Sequence, residues 1–156
     1  MEKISKKRNP NIALQLSLRF LKEYFRKLKQ MQESYPSDEI QESKELVIQR
    51  ALWIALIIEV GKLFDDFNSR HKKVISLKQV SFFQNEPWKN KIDSIYGEVI
   101  ISKIIQTRKT FTAHWSEDNI KPVSIKEICD SKLGQLIDDI DEPLKEFDYW
   151  YKNNSE

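Results

Sequence analysis

The chain is poor in the residues that make turns, bridges and phosphate loops. Of its 156 residues only 3 are glycine and 5 are proline. Sheets joined by tight turns need more of both, so the composition points to an all-helical protein. No glycine-rich loop is present, which argues against P-loop and dinucleotide-binding chemistry. The single cysteine, Cys129, excludes an intramolecular disulfide and suits a reducing compartment. With two histidines, His71 and His114, it offers no zinc spacing, and no cofactor or metal is expected. Asp65-Asp66 and Asp138-Asp139 are adjacent carboxylates that point about 100° apart on a helix, which fits solvated faces better than a magnesium site. Long apolar runs are missing too. The most apolar stretch, residues 51–60, carries Glu59 and is too short to span a bilayer. The basic start has no apolar run of the signal-peptide kind. A cytoplasmic protein without membrane contact is the expectation.

What is present suits one domain. The length allows a sizeable core, and 40% of the residues are hydrophobic, with 4 Trp, 5 Tyr and 8 Phe as large core pieces. Residues 1–8 are expected as a basic, mobile tail and 9–152 as a single helical-bundle domain. Charge is unevenly spread: residues 1–30 hold nine Lys and Arg against two acids, whereas residues 115–156 hold five against eleven. The basic segment can attract a polyanion, or it can sit against the acidic one within a protomer or across a dimer.

Periodicity divides the chain into helices. Asn9-Pro10 starts the first, with Leu14, Leu18, Leu21, Phe25 and Leu28 on one face, and Tyr35-Pro36-Ser37 ends it. The second is read from Ser37 to about Asn68, with Ile40, Val47, Leu52, Leu56, Val60, Leu63 and Phe67 facing inward. Because residues 51–64 are apolar nearly all round, this helix is expected to be the most deeply buried. Glu59 is the exception there: a carboxylate in that place either pairs with an Arg or Lys or lines a polar site, and a structural pair is the expectation. A polar connection follows, with capping-box spacing at Ser76–Gln79. One helix is read over 88–111, striped by Ile92, Tyr96, Val99 or Ile100, Ile104 and Arg108. Ser124–Glu127 is a second capping box, and an amphipathic helix runs from Leu133 to Tyr151, kinked or restarted at Pro143. The architecture expected is a bundle with two long central helices and shorter connecting ones.

The segment Arg108-Lys109-Thr110-Phe111-Thr112-Ala113-His114-Trp115 carries the chemistry. Arg108 falls on or beside the apolar stripe, where a charge needs a partner or a purpose. An arginine grips phosphate with two parallel hydrogen bonds. A histidine titrates near neutrality and suits proton transfer. Together they suffice for metal-free cleavage of a phosphodiester. On a straight helix six steps place Arg108 and His114 about 120° apart and about 9 Å along the axis. They act together only if the helix ends before His114 or a second copy supplies partners across a two-fold interface.

An arginine followed six positions later by a histidine, near the end of a long helix in an all-helical chain, resembles the HEPN superfamily. The small residue Ala113 before His114 adds to the likeness, which is closest to small stand-alone members of abortive-infection and toxin–antitoxin systems. As architecture it covers most of the chain; as motif it covers Arg108 to His114. The resemblance implies a metal-independent ribonuclease acting as a homodimer, with both motifs meeting at the interface. His114 would be the general acid or base and Arg108 the ligand of the scissile phosphate. The ribose 2′-hydroxyl would attack, leaving a 2′,3′-cyclic phosphate or a product derived from it. RNA would be the substrate, and an antitoxin protein a possible partner. Family members often carry Asn, Asp or His after the motif arginine. Lys109 cannot accept a hydrogen bond and is assigned to RNA phosphate instead.

Two other readings stand beside this one. In the first, a non-catalytic dimeric bundle binds RNA, a nucleotide or a protein. In the second, the chain is purely structural and Arg108 pairs with a buried acid such as Glu59.

Overall fold

The structure, a computed structural model, describes residues 9–34, 43–64, 76–112 and 121–154, without the side chains of residues 43, 111 and 112. The basic tail 1–8, the first helix's end at 35–37, Ile40, Phe67, His71, His114 and Trp115 lie outside the described residues. Every element among the described residues is helical. The α-helices are α1 (Pro10–Ser34), α2 (Ser43–Phe64), α3 (Trp88–Tyr96), α4 (Val99–Thr112), α5 (Ile125–Asp130) and α6 (Leu133–Asn154). Two 3₁₀ turns, Leu77–Gln79 and Ser81–Gln84, precede α3. The bundle expected from composition is therefore present.

Local chemistry explains several of the boundaries. Asn9 Oδ1 accepts from the backbone N–H of Asn11 at 3.0 Å and of Ile12 at 3.2 Å, which caps α1. Ser124 Oγ accepts from Glu127 N–H at 3.1 Å and caps α5. The other expected capping box fails: Ser76 makes no side-chain cap, and its buried hydroxyl has no hydrogen-bond partner among the described residues. Its carbonyl instead accepts from Gln79 N–H at 3.1 Å, closing a 3₁₀ turn. The single helix read over 88–111 is two. It breaks at Gly97, whose poor helix propensity removes local support, and α4 restarts in a new register. Val99 is 67% exposed, while Ile100, Ile101 and Ile104 are buried. Pro143, by contrast, neither ends nor restarts α6, which runs through it with the ring buried.

Helices α1 and α2 are antiparallel neighbours: Gln49, near the start of α2, donates to Gln32, near the end of α1. Helix α1 also packs on α5 and α6, and α2 also packs on α4. The shared core is built from Leu14, Leu18, Leu21 and Leu28 of α1, Leu56, Val60 and Leu63 of α2, Ile104 of α4, and Ile140, Leu144 and Phe147 of α6. Gly134 of α6 leaves room for the Phe25 ring, which a Cβ there would approach to 2.9 Å. Tyr96 ties the connection down: its hydroxyl donates to Leu63 O and accepts from Lys78 N–H, both at 3.2 Å. Phe147, Trp150 and Tyr151 form an aromatic cluster with Phe82 and Phe83, of which Phe83 and Phe147 are buried while Trp150 remains 42% exposed. Cys129 is 8% exposed, and burial pushes its thiol up to about 11. Asp130 and Glu33 contribute to that rise, against an opposing effect of Lys29.

The basic first helix does meet the acidic last one within the protomer. Lys22 donates to Asp141 at 2.7 Å and Asn11 donates to Asp148 at 2.7 Å. The Lys22 bond, followed by Lys145, holds the Asp141 carboxyl below the usual carboxylate range. Lys152, then Asn11, do the same for Asp148. A depressed folded pKa stabilises the fold above the unfolded value of about 3.9, and that contribution is lost as pH falls through the folded value. Urea unfolding should therefore show stability falling as pH drops below about 5 and on through the lowered folded values of these carboxyls. Asp141→Asn should cost about 1 kcal/mol at neutral pH and flatten this acid dependence. An unchanged pH profile in that variant would remove Asp141 as its source.

Candidate functional site

The last turn of α4 holds the candidate arginine. Helix α4 carries Lys103, Arg108 and Lys109 and no acid, and cations near a helix C-terminus are favoured by its dipole. Lys109 is exposed and Arg108 is half-buried. The side chain of Arg108 lies along α2 at Gly61. A Cβ built on Gly61 would fall on Arg108 Cδ and lie 2.5 Å from Nη1 and 2.6 Å from Nε. Gly61 is itself buried and within a helix, where glycine costs about 1 kcal/mol relative to alanine. His114 follows two residues after the end of α4 and lies outside the described residues. The structure thus locates Arg108 and Lys109 and does not bring either together with His114.

The pairing of Arg108 with Glu59 is not found. Glu59 is 5% exposed and binds Lys62, one turn on, at 2.8 Å. Two residues apart on a helix project about 200° apart, so Glu59 and Gly61 leave α2 on opposite flanks. The sequence expectation that Glu59 pairs with a basic residue holds, with lysine as the partner. Its second carboxylate oxygen is buried and has no hydrogen-bond partner among the described residues.

The larger departure concerns α2 as a whole. Its apolar sequence predicts burial on every side, with Val47 facing inward. Instead Val47 is 66%, Ile54 42% and Ile58 38% exposed, and Ala51 is exposed between them. The spacings of four, three and four put all four residues on one face. Gly61 is three residues beyond Ile58 and seven beyond Ile54, so Arg108 crosses α2 at the edge of this apolar face. The exposed charges of α2 are Lys44, Arg50 and Lys62. Its two acids, Glu45 and Glu59, each bury one oxygen. The outer side of α2 therefore presents an apolar stripe bordered by Lys44, Arg50 and the Glu59-paired Lys62.

Both ends of the segment that contains His114 are anchored near Arg108. On the near side, Thr110 Oγ1 donates to Thr107 O at 2.6 Å. On the far side, Val123 is 2% exposed and held by two helices. Its N–H donates to Thr107 Oγ1 at 2.8 Å, and its carbonyl accepts from Trp53 Nε1 at 3.1 Å. Thr107 Oγ1 also donates to Lys103 O at 2.9 Å, so its hydroxyl is used in both directions. Gly61, Thr107 and Trp53 escape a motif-based reading. For Gly61 a signal exists, since an isolated glycine in an apolar helix usually marks a close approach. For the other two there is none.

A groove of about 310 Å³ lies at the opposite end of α4, lined by Glu98, Lys103, Glu127 and Lys132 among others. Its charges are spent on one another, Lys103 with Glu127 at 3.3 Å and Lys132 with Glu98 at 2.6 Å. It lies about 13 Å from Arg108 along the helix. Among the described residues, no group of three or more His, Cys, Asp or Glu is arranged to hold a metal ion, and no helix is long and apolar enough to cross a membrane.

No family model, curated protein or solved structure matches this chain. The candidate site is therefore judged on its own chemistry. Thr107→Val keeps the shape of the side chain but strands the buried Val123 N–H, at a cost of about 1–3 kcal/mol. Thr107→Ser should retain most of the stability. Urea denaturation of the two variants checks this, and equal stabilities would show that the hydroxyl does not hold the segment.

Proposed function

We propose that the protein is a metal-independent endoribonuclease of HEPN type that acts as a homodimer, in the role of a toxin or an antiviral effector. Arg108 neutralises the non-bridging oxygens of the scissile phosphate. His114 takes or gives the proton as general acid or base. The ribose 2′-oxygen attacks the adjacent phosphorus and loses its proton, the bond to the 5′-oxygen breaks, and that oxygen gains a proton. The product is a 2′,3′-cyclic phosphate. Lys109 contributes a further phosphate contact.

One observation carries the reading: a half-buried arginine crosses α2 beside an exposed apolar face. A second copy docked on that face by a two-fold axis places two Arg108 side chains near one interface, with the cations of both protomers around it. Such a cationic rim attracts the RNA backbone, and salt screens that attraction. Because Lys109 stands where an acceptor is common in the resembling family, a dimer that binds RNA without cutting it is the competing reading.

Purified protein with EDTA should cleave single-stranded RNA, and His114→Ala should reduce the rate by about 10²–10⁴-fold with helix content retained. Equal cleavage by the two proteins would dismiss His114. Binding without cleavage by the wild type would establish the competing reading. The dimer is tested separately with Ile54→Glu, which places a charge in the apolar face. Sedimentation should show wild-type dimers and variant monomers of unchanged helicity. Monomers in both cases would remove this face as the dimer contact.

A further inference from the structure

We propose that Gly61 is a positioning residue for Arg108: its missing side chain is the slot in which the arginine stem lies, and this holds the guanidinium at the edge of the exposed α2 face. The inference rests on the reading of Arg108 as a phosphate ligand.

The three atoms nearest to a Cβ at Gly61 all belong to Arg108, and they run from Cδ through Nε to Nη1. The contact therefore involves the stem and not only the tip. A methyl group at position 61 would displace Cδ and the guanidinium together from their place against α2. Nothing in the backbone demands glycine here, because no described glycine has positive φ. Residue 61 lies within an α-helix, where alanine is the better helix former. On local grounds alone alanine would be preferred, and the close approach of Arg108 is the contact that opposes it. An arginine pinned along a helix has few other rotamers to visit. Its charge is then already in place when a phosphate arrives, rather than being ordered by binding.

The test compares wild type, Gly61→Ala, Arg108→Ala and the double variant. One measurement is kcat and KM for cleavage of a fluorescein-labelled, mixed-sequence single-stranded RNA in EDTA, at a temperature where all four are folded. The other is thermal unfolding followed by circular dichroism. Gly61→Ala should lower kcat by about a hundredfold with a smaller effect on KM, as misplacement of a catalytic group does. The double variant should be no slower than Arg108→Ala. In unfolding, alanine at position 61 should lower Tm when Arg108 is present and raise it when residue 108 is alanine. Wild-type cleavage with Gly61→Ala equally active overturns the inference. So does the same Tm change in both backgrounds. If the wild type leaves this RNA intact, the ribonuclease reading fails, and the Tm comparison alone decides whether Gly61 positions Arg108. Should Gly61→Ala fail to fold, a folded double variant supports the inference and an unfolded one overturns it.

Discussion

Helix α2 is shared between two neighbours, α1 and α4, and the rest of the bundle is arranged around that sharing. Its buried residues include Leu56, Ile57, Val60, Leu63 and Phe64. Burial of each such side chain stabilises by about 1.5–3 kcal/mol, so together they outweigh the roughly 1 kcal/mol that a mid-helix glycine costs. That surplus is what lets α2 tolerate Gly61 and accept a charged side chain against its backbone. The arginine lies against α2 at Gly61, where α2 has no side chain.

Much of the architecture was legible in the sequence because much of it is local. Asn9 and Ser124 cap the helices they precede, since a cap involves only the next three residues. The leucine stripe of α1 is buried as its spacing implies. Errors arose where distant parts of the chain decide. The break at Gly97 changes which face of α4 is inward, and no stripe drawn through it could show that. Ser76 has the spacing of a capping box, but the turn it begins is 3₁₀ and its hydroxyl is turned inward. The exposure of Val47, Ile54 and Ile58 follows from how many neighbours α2 receives in one protomer, which periodicity does not encode. At the candidate site, Arg108 was visible as a charge on an apolar stripe. The residue facing it was not, because the two are 47 positions apart.

The charge distribution has two different uses. Part of it is consumed inside the protomer, where Lys22 with Asp141 and Asn11 with Asp148 join the first helix to the last. On the outer face of α2 the exposed cations are Lys44, Arg50 and Lys62, of which Lys62 is bound by Glu59 of the same helix at 2.8 Å. Helix α4 adds three cations and no acid. Of these, Lys103 is paired with Glu127 of α5.

The seclusion of Cys129 has a consequence for how assemblies of this protein are to be interpreted. Its thiol is shielded and pushed up to about 11, with Lys29 and Glu33 of α1 within electrostatic reach. Burial and the neighbouring carboxylates thus disfavour the reactive thiolate at neutral pH, even before access is considered. A disulfide-linked pair can then form only from molecules whose α5 has first drawn away from α1. Covalent dimers seen after purification would be a record of breathing in the bundle during storage, and their accumulation a clock for that opening, independent of any association through α2.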